Sequence, residues 1–187
     1  DGDFGQKFTL NLRDKTGNYT GDNSAIIVKG GKFYKFNPAD NTAEGEGTNF
    51  VAPGYSSVAN GDYYQVKEGI YNETALASAI VNGAIINLSA DITLEKAITI
   101  PTNITATIDL NGFDITAPST DAFEVAGTLT IQDNNNEGVV SAGTENPNAS
   151  VCAVWANGGT VTINGGHYKV YSDANGKRND CIYAGYN

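Results

Sequence analysis

A four-residue unit returns three times in this chain and constrains its fold more than anything else: Thr105-Ala-Thr-Ile108, Thr128-Leu-Thr-Ile131 and Thr160-Val-Thr-Ile163, first 23 and then 32 residues apart. Side chains on a strand alternate between its faces. Ala106, Leu129 and Val161 therefore share a face with Ile108, Ile131 and Ile163, and Thr107, Thr130 and Thr162 take the other. A strand kept intact across uneven spacing implies stacked coils joined by loops of different length.

A second column keeps its parity independently. In Phe123-Glu-Val125, Val154-Trp-Ala156 and Ile182-Tyr-Ala184, the residues Phe123, Val154 and Ile182 point one way. Glu124, Trp155 and Tyr183 point the other. Ala84-Ile-Ile-Asn-Leu88, Ile92-Thr-Leu94 and Ile98-Thr-Ile100 read as earlier coils. No long helical period lies between these strands, which excludes a doubly wound dinucleotide-binding sheet.

The last copy sits inside Asn157-Gly-Gly-Thr-Val-Thr-Ile-Asn-Gly-Gly166, a short strand between two Asn-Gly-Gly corners. It carries no nucleophile, base or charge, so its role is scaffolding. The double glycines suit corners where a Cβ would clash. The expected fold is all-β: a parallel β-helix whose coils pair ~4.8 Å apart, with apolar columns inside and Thr ladders outside.

On these residues, the region 68–187 resembles the right-handed parallel β-helices of the pectate-lyase-like type. It looks most like the Gly-Gly-Thr-Val-Thr-Ile-Asn-Gly-Gly coils of bacterial surface proteins and of phage fibres or tailspikes. The resemblance implies a non-enzymatic structural or attachment protein. Its implied setting is a phage virion fibre, head or tail-associated, that forms a homo-trimer, docks by its N-terminal module and projects the β-helix. A glycan-binding adhesin of a bacterial surface is the first alternative. The second is a polysaccharide lyase or hydrolase with its active coils beyond residue 187. The implied location is a virion surface or the outside of a cell.

Residues 1–67 read as a small β-rich docking module. Lys7–Leu12 alternates like a strand, and Ala25–Phe36 reads as a hairpin turning at Gly30-Gly31. A loop over 37–48 holds Pro38 and Glu44-Gly-Glu-Gly47, and a strand pair is expected around Phe50-Val51 and Tyr63–Val66. A short helix is expected over 73–81, with Asn72 as N-cap, Leu76, Ala79 and Ile80 on one face, and Asn82-Gly83 as the stop. An open β-helix exposes an apolar end and unpaired strand edges, and this helix is placed to cap the first coil.

Composition narrows the partners. The net charge is −10 and the 11 Lys and Arg form no run, so the basic stripe that nucleic acid requires is missing. No apolar stretch reaches the ~18–20 residues of a membrane-spanning helix. Absence of Met and a start at Asp1 predict a processed or excised piece, and the stop at Tyr186-Asn187, in mid-coil, predicts that the chain continues. Five Asn-X-Ser/Thr triplets, starting at Asn18, Asn72, Asn87, Asn103 and Asn148, follow from the abundance of Asn and Thr.

Candidate sites are few, and nothing in the residues points to a cofactor. Polysaccharide lyases need a base to take a proton and hydrolases need close-set carboxylates. The late basic residues are His167, Lys169, Lys177 and Arg178, the last two in a Gly/Asn/Asp loop. Asp109 and Asp114 flank Asn111-Gly112, a turn signature. None forms a catalytic motif. Asp133-Asn-Asn-Asn-Glu137 has oxygen ligands of the calcium kind but lacks the spacing of a calcium loop, and reads as a polar corner, leaving no metal site.

The candidate ligand site is a glycan platform formed by Glu124, Trp155 and Tyr183, a carboxylate and two aromatic rings on neighbouring coils, with Tyr168, Tyr171 and Tyr186 nearby in sequence. The competing role for these rings is packing under the 142–150 loop or against another subunit. Aligning Tyr183 with Trp155 sets Cys181 level with Ala153, so Cys181 and Cys152 face opposite ways. Disulfide geometry needs converging Cβ vectors, and no bond is expected.

Overall fold

The computed structural model describes residues 9–10, 25–40, 48–144, 150–171 and 180–185. The chain divides into two compact units, Asp1–Glu68 and Gly69–Asn187.

In the first unit, β1 (Gly31–Tyr34), β2 (Tyr55–Asn60) and β3 (Tyr63–Glu68) form an antiparallel sheet in the order β1-β3-β2. Gly61 and Asp62 join β2 to β3, and Gly61 takes φ +59° at the first turn position, where a tight hairpin needs positive φ. The expected hairpin at Gly30-Gly31 does not form. Val28 instead makes a parallel bridge to Val51, with Val28 N donating to Phe50 O and Ala52 N to Val28 O. Burying Val28 with Phe50, Val51 and Val66 satisfies that arm apolarly, and Gly31 at φ +112° turns the chain into β1, where it faces Val66. Likewise, Tyr63–Val66 pairs with β1 on one side and β2 on the other, and not with Phe50-Val51. The expected strand at Lys7–Leu12 lies mostly outside the described residues, as does the run Glu44–Gly47.

The second unit is a parallel β-solenoid of four coils with three strands in each. Its first coil holds β4 (Ala84–Asn87), β5 (Ile92–Thr93) and β6 (Ile98–Ile100). The second holds β7 (Thr105–Asp109), β8 (Ile115–Ala117) and β9 (Phe123–Val125), and the third β10 (Thr128–Gln132), β11 (Val139–Ala142) and β12 (Val154–Ala156). The fourth holds β13 (Thr160–Ile163), β14 (His167–Val170) and β15 (Ile182–Ala184). Three parallel sheets run along the stack, in the orders β4-β7-β10-β13, β5-β8-β11-β14 and β6-β9-β12-β15.

The register matches the repeat residue for residue: Leu129 lies between Ala106 and Val161, and Ile131 between Ile108 and Ile163. Phe123 and Val154 are fully buried in the third sheet. The interior is one continuous apolar cluster from Ile70 to Val154, with Val161, Ile163 and Val170 of the last coil only partly covered. The middle sheet was not foreseen beyond Ile92–Leu94. Its strands Ile115–Ala117 and Val139–Ala142 are short and hold Ala, Ser and Thr beside Ile and Val, a weak alternation.

Glycines set the corners. A Cβ on Gly159 would lie 2.4 Å from Gly127 O and 2.6 Å from Val125 O, and one on Gly127 would lie 2.2 Å from Pro101 O. At these stacked positions only glycine lets backbone pass over backbone. The junction helix α1 (Glu73–Ala79) forms from the expected cap, the Asn72 side chain accepting the N–H of Ala75 at 2.9 Å, but it stops two residues short of 81, with Ile80 as its C-cap. Ala75, Leu76 and Ala79 enter the solenoid core. The Glu73 carboxylate accepts the backbone N–H groups of Glu95 and Lys96, at 3.1 and 2.9 Å, which ties the helix to the first coil.

Candidate functional site

The expected platform residues come together. Strand alternation turns Glu124, Trp155 and Tyr183 outward on β9, β12 and β15, and pairing sets Trp155 directly between the other two. Thr99 of β6 precedes them in the same column. The indole is not a bare stacking surface, however: Trp155 is 8 % exposed, and its Nε1 donates to Gly185 O at 3.0 Å. Asn157 Nδ2 donates to Glu124 Oε1 at 3.0 Å. Glu124 and Tyr183 are each half-buried, so what is accessible of the three belongs mainly to these two residues. Of the nearby rings, Tyr171 is exposed, and Tyr168 is half-buried with its hydroxyl donating to Gly165 O at 3.0 Å. Tyr186, residues 145–149 of the 142–150 loop, Lys177 and Arg178 lie outside the described residues.

A second polar constellation occupies the corner between the first two sheets, and its carboxylates are engaged with the backbone. Asp91 Oδ1 accepts the N–H of Asp114 one coil on, and Asp114 Oδ1 accepts that of Val139, each at 2.9 Å. Asn111 Nδ2 donates back to Leu88 O, and Asn135 Nδ2 to Asn111 O. Asn111 takes φ +53° and Gly112 φ +81°, so the Asn-Gly pair makes the tight turn expected of it. Asp109 is buried, with Oδ1 accepting from Asn111 N at 2.9 Å and Oδ2 from Gln132 Nε2 at 3.1 Å and from Asn134 Nδ2. From the sequence, Asp109 and Asp114 read as the flanks of one Asn111-Gly112 turn, and Asp91 does not stand out. The separation of Asp91 and Asp114 equals that of the first two Thr-x-Thr-Ile units, and that equality marks them as one inter-coil ladder.

Asp133 anchors the Asp133–Glu137 corner. Its Oδ1 accepts from Gly112 N at 2.9 Å and Asn135 N at 3.3 Å, and its Oδ2 from Gly138 N at 2.7 Å. Burial opposes its ionisation, but the backbone N–H groups of Gly138, Gly112, Asn135 and Glu137 outweigh this and hold the carboxyl below its ordinary value. Burial, reinforced by the negative charge of Asp133, pushes the Tyr168 phenol well above its ordinary value. Among the described residues, no three His, Cys, Asp or Glu side chains are grouped to hold a metal ion. His167 is exposed, with Nε2 3.3 Å from Asn136 O.

Neither Cys152 nor Cys181 is in a disulfide. Cys152 is buried, while Cys181 is exposed with its Sγ 3.4 Å from Tyr168 O. Because Ile182 pairs with Val154, Cys181 falls level with Ala153, one residue out of step with Cys152. No protein-family model, curated protein or solved structure matches the chain.

Proposed function

We propose that this chain is a non-enzymatic, surface-exposed structural or attachment protein, and specifically a trimeric phage virion fibre. In this reading the N-terminal module docks on the virion and the solenoid projects from it. The observation that carries the proposal is where the polar side chains go. Asp91, Asp109, Asp114 and Asp133 all accept backbone N–H groups at one corner of the stack, several of them from the neighbouring coil. Carboxylates spent on holding coil to coil stiffen a rod and are not free to transfer protons. The mass of the natural full-length protein, by light scattering after size exclusion, tests this. A trimer supports the fibre, and a monomer overturns it in favour of an adhesin.

The adhesin reading has its own support in the register of Glu124, Trp155 and Tyr183. It expects glycan-array binding that weakens in Tyr183→Ala and Glu124→Gln. Absence of binding by the wild-type protein eliminates it.

A further inference from the structure

We propose that the outer face of the first sheet is an ice-binding plane. This inference is independent of the fibre and adhesin readings. The face presents two columns of threonine, Thr105-Thr128-Thr160 and Thr107-Thr130-Thr162, kept in register by unbroken parallel pairing. Strand geometry makes this a two-dimensional hydroxyl lattice, with steps of about 4.8 Å along the stack and about 6.7 Å along each strand. The repeats of a prism face of hexagonal ice are comparable, the shorter lying near the coil step and the longer somewhat above the step along the strand.

Three further properties suit that occupant. Threonine is β-branched and stiff at χ1, so its hydroxyl and methyl are held in place before binding and little rotamer freedom is lost on contact. Among the described residues, none of the six hydroxyls is bonded to a protein group, whereas Thr116 on the next sheet accepts from Ser141 Oγ at 3.3 Å. The face is also neutral in a chain of net charge −10: its one carboxylate, Asp109, is covered to 5 % exposure, and the second threonine column begins at Ile85, a hydrocarbon 75 % exposed. An uncharged lattice of fixed hydroxyls and methyls complements an uncharged lattice of water; a charged ligand finds no counter-charge there.

The test is adsorption of the fluorescently labelled full chain to a single growing ice crystal, together with thermal hysteresis in a nanolitre osmometer. Wild-type protein is expected to coat and facet the crystal. Thr130→Tyr, which raises a ring at the centre of the lattice, should lose most of the adsorption and hysteresis with an unchanged circular dichroism spectrum, and Thr99→Tyr on the third sheet should retain both. If Thr130→Tyr does not fold, Thr162→Tyr on the exposed fourth coil serves instead. Exclusion of the wild-type protein from ice, or full activity in a folded lattice variant, overturns the proposal.

Discussion

Asp133 Oδ2 accepts the backbone N–H of Gly138 at 2.7 Å, closing the corner between β10 and β11 on its own first residue. The other oxygen of the same carboxylate holds Gly112 in the coil before. One side chain thus forms a corner and staples it to its neighbour. Asp133→Ala leaves the buried N–H of Gly138 and the part-buried N–H of Gly112 without this acceptor, and an unsatisfied buried donor costs about 1–3 kcal/mol. Urea denaturation at neutral pH should show a loss of about 3 kcal/mol, with Asp133→Asn losing less.

The same carboxylate sets an acid limit. Its folded-state pKa is depressed, so its contribution is complete above the unfolded value of about 3.9 and is lost as pH falls from there through the lower folded value. Melting temperatures of wild type and Asp133→Asn should converge as pH falls below about 4. Tyr168 acts at the other extreme. Its folded pKa is raised, so its contribution is complete below about 10 and is lost as pH rises past it. The wild-type protein should lose its advantage over Tyr168→Phe above that pH.

Two glycines separate steric from conformational need. Gly159→Ala forces a Cβ to within 2.4 Å of the Gly127 carbonyl oxygen, and the backbone must move at a cost of about 1–3 kcal/mol. Gly83 has open space around it but a φ of +79°, so Gly83→Ala should cost only about 1 kcal/mol. Thermal melts of the pair should rank them in that order.

Core substitutions should report position along the stack. Leu129 is fully buried between Ala106 and Val161, and Leu129→Ala should cost about 2–5 kcal/mol. Val161→Ala in the half-covered fourth coil should cost clearly less. Equal losses would mean that the fourth coil is as enclosed as the third.

The N-cap of α1 is open to a separate test. Asn72→Ala removes the bond to Ala75 N and should lower stability by about 1 kcal/mol. Hydrogen exchange at the amides of Glu95 and Lys96, which Glu73 holds, should quicken along with that of the helix.

Much of the solenoid was legible in the chain because parallel stacking copies local residue patterns in register. The Thr-x-Thr-Ile units and the Phe123, Val154 and Ile182 column fell into the predicted pairs, and α1 was readable from Asn72 and its apolar face. The middle sheet was not readable, since two- to four-residue strands carry too few alternations to stand out. The N-terminal sheet was misread where the choice between pairing partners is non-local. Val28 joins Val51 and not a hairpin mate, and is buried there with Phe50, Val51 and Val66 from distant parts of the unit. The platform residues were placed on the correct face, but the covering of Trp155 depends on contacts made from the next coil.

By itself, the sequence determined the coil as the repeating unit, the faces of its strands and the places of its corners, because alternation and glycine stereochemistry are local. The number of sheets and the bonding of Asp91, Asp114 and Asp133 across coils are settled by the stacking itself. Those properties arise between coils, from residues distant in sequence that meet only when the stack closes.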